Sequence, residues 1–256
     1  IDALKSKLEF AKKNNKLPKI VIPVHLCGQP TLQEEIFRLS KEYGFKIIED
    51  ASHSMGGSRN GELVGSCKWS HATIFSFHPV KIITSGEGGV VLSNSKDFDR
   101  KCKLFRTNGI TRDRSLFINE DKGPWYYEQQ SIGYNYKLSD IHSALGLSQL
   151  NKINKFVKER NRIADTYNTE LKDLPIYLPH VLKGNRSTYH LYVIRIKDQK
   201  IKFSHKQIFK KLIEKGIKVN LHYYPVHLQP YYKSLGFKKK MFPVSEKYAD
   251  QAISIP

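Results

Sequence analysis

The sequence predicts an α/β fold: a mostly parallel central sheet followed by a smaller C-terminal α+β domain. Two observations carry this. A strand–helix–strand unit fills the stretch between Lys19 and Asp50, and such a unit implies parallel strands joined by a right-handed crossover. Beyond Pro175 the order becomes strand, helix, strand with no further long helix between, which reads as a separate, smaller layer.

Taken in order, "KIVIPVHL" (residues 19–26) is a short β-branched run bounded by Pro18 and Gly28, and predicts a buried strand. "TLQEEIFRLSKEYG" then opens on a capping-box pattern, Thr31 with Glu34 three positions on. Leu32, Ile36, Leu39 and Tyr43 recur at helical spacing, and Gly44 stands where a helix ends. "FKIIED" follows as a second apolar strand. Further strands are expected at "HATIFSF" and "GGVVLS", and a helix at "KDFDRKCKLFRTNG". From Leu138 a helical pattern runs toward Leu171, too long and too drifting to stay straight. After Pro175 come "YHLYVIRI" (strand), "HKQIFKKLIEKG" (helix) and "IKVNLHYY" (strand). The expected division is therefore 1–137 for the large domain, 138–171 for a connecting helix and 172–256 for the small domain. The chain opens in what reads as a first helical turn and closes in mid-pattern at "QAISIP", so it reads as a fragment.

Apolar residues make up 39% and aromatics 11% of 256, a globular composition. No segment approaches the ~20 apolar residues of a spanning helix, and the N-terminus lacks the pattern of a signal peptide. Cys27, Cys67 and Cys102 are far apart and not in metal-binding spacing, so they read as reduced thiols of a cytoplasmic protein with no metal site. A net charge of +19 raises the question of nucleic acid. The lysines are spread over the whole length, however, "FKKK" is their densest run, and no nucleic-acid-binding signature accompanies them. A small anion such as a nucleotide diphosphate is the better expectation.

The candidate site follows from the sheet. Open parallel sheets bind ligands beyond the carboxyl ends of their strands, and Asp50 ends one such strand, with His53 just after it. The next strand delivers Ser76 to the same edge. Lys81 follows, and then Gly86, Gly88 and Gly89, where backbone could approach a ligand closely. An acid, a hydroxyl and a lysine at one edge are the residue types that pyridoxal 5'-phosphate needs: an amine for its aldehyde, a carboxylate for its ring nitrogen, donors for its phosphate. Each residue alone also fits a commoner role. The Asp could cap a turn, the Ser could be an ordinary satisfied hydroxyl, the glycines could serve a turn, and the lysine could be solvated surface.

The segments "EDASHSMGG", "FSFHPVKIITSGEGG", "LFRTNG" and "GYNYKLSDIHSALGLSQL", in that order, resemble the DegT-type sugar-nucleotide aminotransferases. The resemblance implies a fold-type I aminotransferase architecture dependent on pyridoxal 5'-phosphate. It implies that Lys81 forms the Schiff base and shuttles the proton, that Asp50 pairs with the ring nitrogen, that His53 lies near the ring hydroxyl, and that Ser76 contacts the phosphate. Asn135 matches the asparagine that reaches the phosphate from a second subunit, which implies a homodimer with a shared site. Within the family, "KIVIPVHLCGQP" and "GIKVNLHYYPVHLQPYY" resemble the pseudaminic acid pathway members. That implies a UDP-linked 4-keto-6-deoxy amino sugar as acceptor and L-glutamate as donor, with His222, Tyr223 and His227 near the sugar nucleotide. Aromatic packing between domains accounts for those three equally well. A GDP- or dTDP-linked keto sugar is the nearest alternative substrate. From the spread of the charge and the lack of a long apolar stretch, no nucleic-acid and no membrane partner is expected.

Overall fold

The structure is a computed structural model describing residues 1–197 and 202–256. Helix α1 (Asp2–Lys13) buries Leu8 against a core of Ile36, Leu39, Phe45 and Ile47. Those four come from α2 (Gln33–Tyr43), from Phe45 just beyond it, and from β2 (Lys46–Asp50), which lies parallel to β1 (Ile20–Val21) as the strand–helix–strand pattern requires. Gly44 closes α2 in the left-handed conformation, φ 78°.

Two local expectations fail here. The first strand is only two residues long, followed by a single bridge from Val24 to Asp50, because Pro23 can donate no ladder hydrogen bond. It is also an edge rather than a buried strand, with Ile20, Ile22 and Val24 exposed. The capping box at Thr31 does not form: Leu32 is the N-cap, and the Glu34 carboxylate turns to Arg59. A paired, charge-assisted bond to a guanidinium outcompetes one to a backbone amide.

Next come β3 (Ser58–Arg59), β4 (Glu62–Leu63), β5 (Ala72–Ser76) and β6 (Gly89–Leu92). The central sheet has the order β1-β2-β5-β6, the first three strands parallel and β6 antiparallel to β5. Helix α3 (Lys96–Arg106) is capped by the Ser95 hydroxyl and leads to β7 (Ile110–Thr111) and β8 (Glu128–Gln129). The long helix expected over 138–171 is two helices, α4 (Asp140–Leu150) and α5 (Ile153–Glu170), with a full break at Asn151 and Lys152. None of the residues of α4 is buried, and Ile141 and Leu147 stand 83% and 61% exposed.

The remainder comprises β9 (Ile176–Tyr177), β10 (Asn185–Arg186), β11 (Tyr192–Ile196), α6 (His205–Glu214), α7 (Pro230–Ser234), α8 (Pro243–Gln251) and β12 (Ala252–Ile255). An antiparallel sheet β12-β11-β9 packs Tyr192, Ile194, Ile196 and Ile253 against Ala164 of α5 and Ile208, Phe209 and Leu212 of α6. The strand expected at "IKVNLHYY" is absent. Asn220 makes one bridge to Ser254, its side chain takes the next backbone N–H, and Pro225 follows. The strand that the closing stretch forms, β12, was not expected.

A third small sheet, β10-β3-β4, joins the early and late parts of the chain. Arg59 is 6% exposed and binds Glu34 through Nε and Nη2, while Nη1 reaches Asn185 Oδ1 at 2.9 Å and Lys183 O at 3.4 Å. Among the described residues, no helix is long and apolar enough to cross a membrane.

Candidate active site

Asp50 sits at the carboxyl end of β2, clamped by backbone: its N–H donates to Pro23 O at 2.9 Å and its C=O accepts from His25 N at 3.0 Å. Its register partner on β5 is Ile74, so Ser76, two positions on, reaches the same edge. One carboxylate oxygen of Asp50 takes the N–H of Ser52 at 3.1 Å. Ser76 Oγ accepts from His78 N at 3.3 Å and keeps its own hydroxyl proton to donate.

Lys81 stands in the connection from β5 to β6. Its position follows from its neighbours: Ile82 and Ile83, 5% and 2% exposed, insert beside Val157, Ile153 and Phe156 and anchor the loop from beneath. Phe77 O gathers two more ties, from Ser85 N at 3.1 Å and Thr84 Oγ1 at 2.9 Å. Two of the glycines beyond are required by this packing. A β-carbon on Gly88 would lie 2.8 Å from Leu138 and Ser85, and one on Gly89 would lie 2.7 Å from Phe75 O. Burial pushes the Lys81 amine below its ordinary range, and the Asp50 carboxylate pulls it part of the way back. A lysine so placed holds a larger unprotonated fraction, the form that can act as nucleophile and base.

His53 is 8% exposed, and its Nδ1 accepts the Cys27 N–H at 3.3 Å, so the ring proton is on Nε2. Burial, then the Lys81 charge, take it down to about 4 against the pull of Asp50, so at neutral pH it is an uncharged donor. His222 comes close to Lys81 as well, its Nδ1 2.7 Å from Ser254 Oγ, and is lowered by burial and by the Lys81 charge. Tyr223 packs edge-on against it with centroids 4.9 Å apart, and is raised by burial and by the nearby Cys27 and Asp50. The structure therefore brings Asp50, His53, Lys81, His222 and Tyr223 to one place, with Ser76 on the same sheet edge.

Two residues lie elsewhere. His227 is buried with Nε2 3.0 Å from Glu246 Oε1, its ring 4.7 Å from that of Phe242. Asn135 is exposed, bridged to Thr107 on α3's far end and bound by Lys137 Nζ. Conversely, sequence reading gave His190, Cys27 and Tyr248 no place at this site. The His190 ring lies 4.3 Å from that of His53. The Cys27 thiol, raised by burial to about 11, is bonded to Tyr248. Their only sequence signal would have been long-range register, which no local spacing encodes.

The donor set fits pyridoxal phosphate. The carboxylate, the imidazole Nε2–H, the hydroxyl and a Lys81 amine with no hydrogen bond or ion pair among the described residues converge with capacity unspent.

Comparison with known proteins identifies the family. The profile of the DegT/DnrJ/EryC1/StrS aminotransferase family matches residues 5–256. The chain is 34% identical over 250 residues to the UDP-4-amino-4,6-dideoxy-N-acetyl-beta-L-altrosamine transaminase of Helicobacter pylori, covering 97% of this chain and 63% of that protein. It is 31% identical over 250 residues to the GDP-perosamine synthase of Vibrio cholerae, covering 97% and 64% respectively. Among solved structures, Helicobacter pylori PseC, an aminotransferase involved in the biosynthesis of pseudoaminic acid, superposes with a TM-score of 0.86 at 31% identity, over 98% of this chain and 64% of that one. The chain thus spans under two thirds of the length of these relatives. With a profile match across nearly its whole length and a lysine–aspartate pair at the sheet edge, this chain belongs to the DegT/DnrJ/EryC1/StrS aminotransferase family.

Proposed function

We propose that this chain carries the Lys81 centre of a pyridoxal-phosphate-dependent transamination, converting a UDP-linked 4-keto-6-deoxy amino sugar to its 4-amino form with L-glutamate as donor, in nucleotide-sugar biosynthesis of the pseudaminic acid type. The observation that carries this reading is the desolvated Lys81 amine with Asp50 as its charge partner at the carboxyl edge of the parallel strands. Bound there, the cofactor would supply an aldehyde for the amine and an electron-withdrawing ring. Asp50 would hold the ring nitrogen's positive charge, His53 would donate from Nε2, and Ser76 would donate to the phosphate. Lys81 accepts the proton from the donor's α-carbon and later returns one at C4 of the sugar, one group serving both half-reactions.

His222 and Tyr223 we assign to the wall that meets the sugar nucleotide. His227 we assign to packing, through its bond to Glu246, rather than to contact with the sugar nucleotide. The Helicobacter relative supports a UDP sugar, and the Vibrio relative supports a second reading, a GDP-linked keto sugar. We further propose a homodimer in which Asn135 serves the partner's phosphate site. In support, Asn135 is flanked by exposed Ile132, Tyr134 and Tyr136 and by the uncovered helix α4. The three free cysteines suit the reducing cytoplasm, where we place the reaction.

The test is reductive trapping. Borohydride treatment of the protein loaded with pyridoxal phosphate is expected to bleach the visible band and leave the pyridoxyl mass on the peptide carrying Lys81. Lys81→Ala is expected to abolish amino transfer to the keto sugar. A label on another lysine, or an active Lys81→Ala, would sink the assignment.

A further inference from the structure

Behind His53 is a second imidazole that the proposed reaction does not use. His190 is 9% exposed, its ring centroid is 4.3 Å from that of His53 at 44°, and its Nδ1 has no hydrogen-bond partner among the described residues. Its placement is built rather than incidental. Thr188 Oγ1 donates to His53 O at 2.7 Å, and Thr188 N donates to Gly28 O at 3.0 Å, pinning the two chain segments to each other. On the far side is Arg160, whose Nη1 reaches Tyr189 O at 3.1 Å and His190 O at 3.4 Å, with no carboxylate bound to it among the described residues.

We propose that His190 is a positioning residue: a dry, uncharged ring that seals the back of His53 and keeps it a neutral Nε2–H donor, leaving the charge of Asp50 free for the site. This rests on the reading of Lys81, Asp50 and His53 as the cofactor cradle. A proton on His190 would place a cation near both Arg160 and Lys81 and against His53, with no carboxylate among the described residues acting to offset it. A proton on His53 would add a cation that the Asp50 charge attracts, drawing on the same carboxylate that the ring nitrogen would need. The groups facing His53 are Lys81, Asp50, His222 and His190; those facing His190 are His53, Lys81, Arg160 and His222. All but Asp50 act against added positive charge. Burial and these cations hold His190 down to about 3, below even His53.

The experiment is a histidine titration by NMR on the full chain, without cofactor, with the His53 signal assigned through His53→Gln. In the parent, His53 is expected to stay neutral down to about pH 4. His190→Phe keeps the dry ring and should leave that midpoint in place. His190→Ala, or His190→Asn should the alanine variant not fold, admits water and should raise it by about one unit or more. An unmoved midpoint in the smaller variants, an equal rise in His190→Phe, or a parent His53 titrating near 6.5 overturns the proposal. Uptake of pyridoxal phosphate is scored separately. A chain that never binds it while His53 titrates as stated refutes the proposed function and leaves only the hold of His190 on the His53 proton.

Discussion

Gly28 is the position where one β-carbon would disturb most of the site. It has φ +95°, and a β-carbon there would lie 2.2 Å from Thr188 Oγ1, 3.0 Å from His190 N and 3.0 Å from His53 O. The first of these is a side-chain atom that can rotate away; the other two are backbone. Gly28→Ala therefore carries a left-handed backbone cost of about 1–2 kcal/mol. Displacing the Thr188 hydroxyl then breaks its 2.7 Å bond to the buried His53 carbonyl, worth a further ~1–2 kcal/mol. The expected total is roughly 3 kcal/mol, a large part of the ~5–15 kcal/mol stability of an ordinary domain. Urea unfolding followed by circular dichroism reads it directly. Thr188→Ala removes the worst clash and the bond together, so the double variant should lose less than the sum of the single losses. A Gly28→Ala protein within about 0.5 kcal/mol of the parent would refute the packing argument.

Ile83→Ala is expected to cost about 2–4 kcal/mol as a buried truncation, and to raise the Lys81 midpoint as its loop loosens; chemical modification of Lys81 against pH checks the second part. Glu128 accepts from Ile118 N and Asn119 N, both at 2.7 Å, and those bonds lower its carboxyl from 4.5 to about 2. A depressed carboxyl stabilises the fold above its unfolded value and loses that contribution as pH falls through the folded one. Glu128→Gln should therefore be less stable than the parent at neutral pH, with the gap closing as pH falls from 4.5 to about 2 in thermal unfolding; a gap independent of pH would contradict this. His222→Ala should raise KM for the sugar nucleotide with little loss of stability, whereas His227→Ala should lower the melting temperature with little change in KM, because His227 is tied to Glu246 instead. The reverse pattern would exchange their roles.

The strand–helix–strand unit and the sheet edge that presents Asp50 were legible because both are local: periodicity finds the elements, and the end of a strand finds the acid. Lys81 was legible only jointly with its neighbours. What set its position, Ile82 and Ile83 packed on α5, involves partners far along the chain. The glycines after it looked like room for a ligand, yet Gly88 and Gly89 are needed because Leu138, Ser85 and Phe75 crowd them. "IKVNLHYY" has the composition of a strand but meets a neighbour only at Ser254. "KIVIPVHL" has the composition of a buried strand, but Pro23 and an edge position leave it short and half-covered. His190 is illegible in the sequence for the same reason: its meaning lies in His53, which composition and spacing do not connect to it.

Arg59 has one more consequence, for the order of assembly. The residues that complete its cradle, Lys183 and Asn185, are 124 and 126 positions downstream, while Glu34 precedes it by 25. A nascent chain that has reached only α4 holds that guanidinium with Glu34 alone, and its remaining donor stays in water until residues 183–186 arrive to cover it. The stretch that reads as a self-contained first domain thus keeps one of its buried contacts open for a partner more than a hundred residues on, the kind of distant pairing that forms late because its loop-closure entropy must be met first.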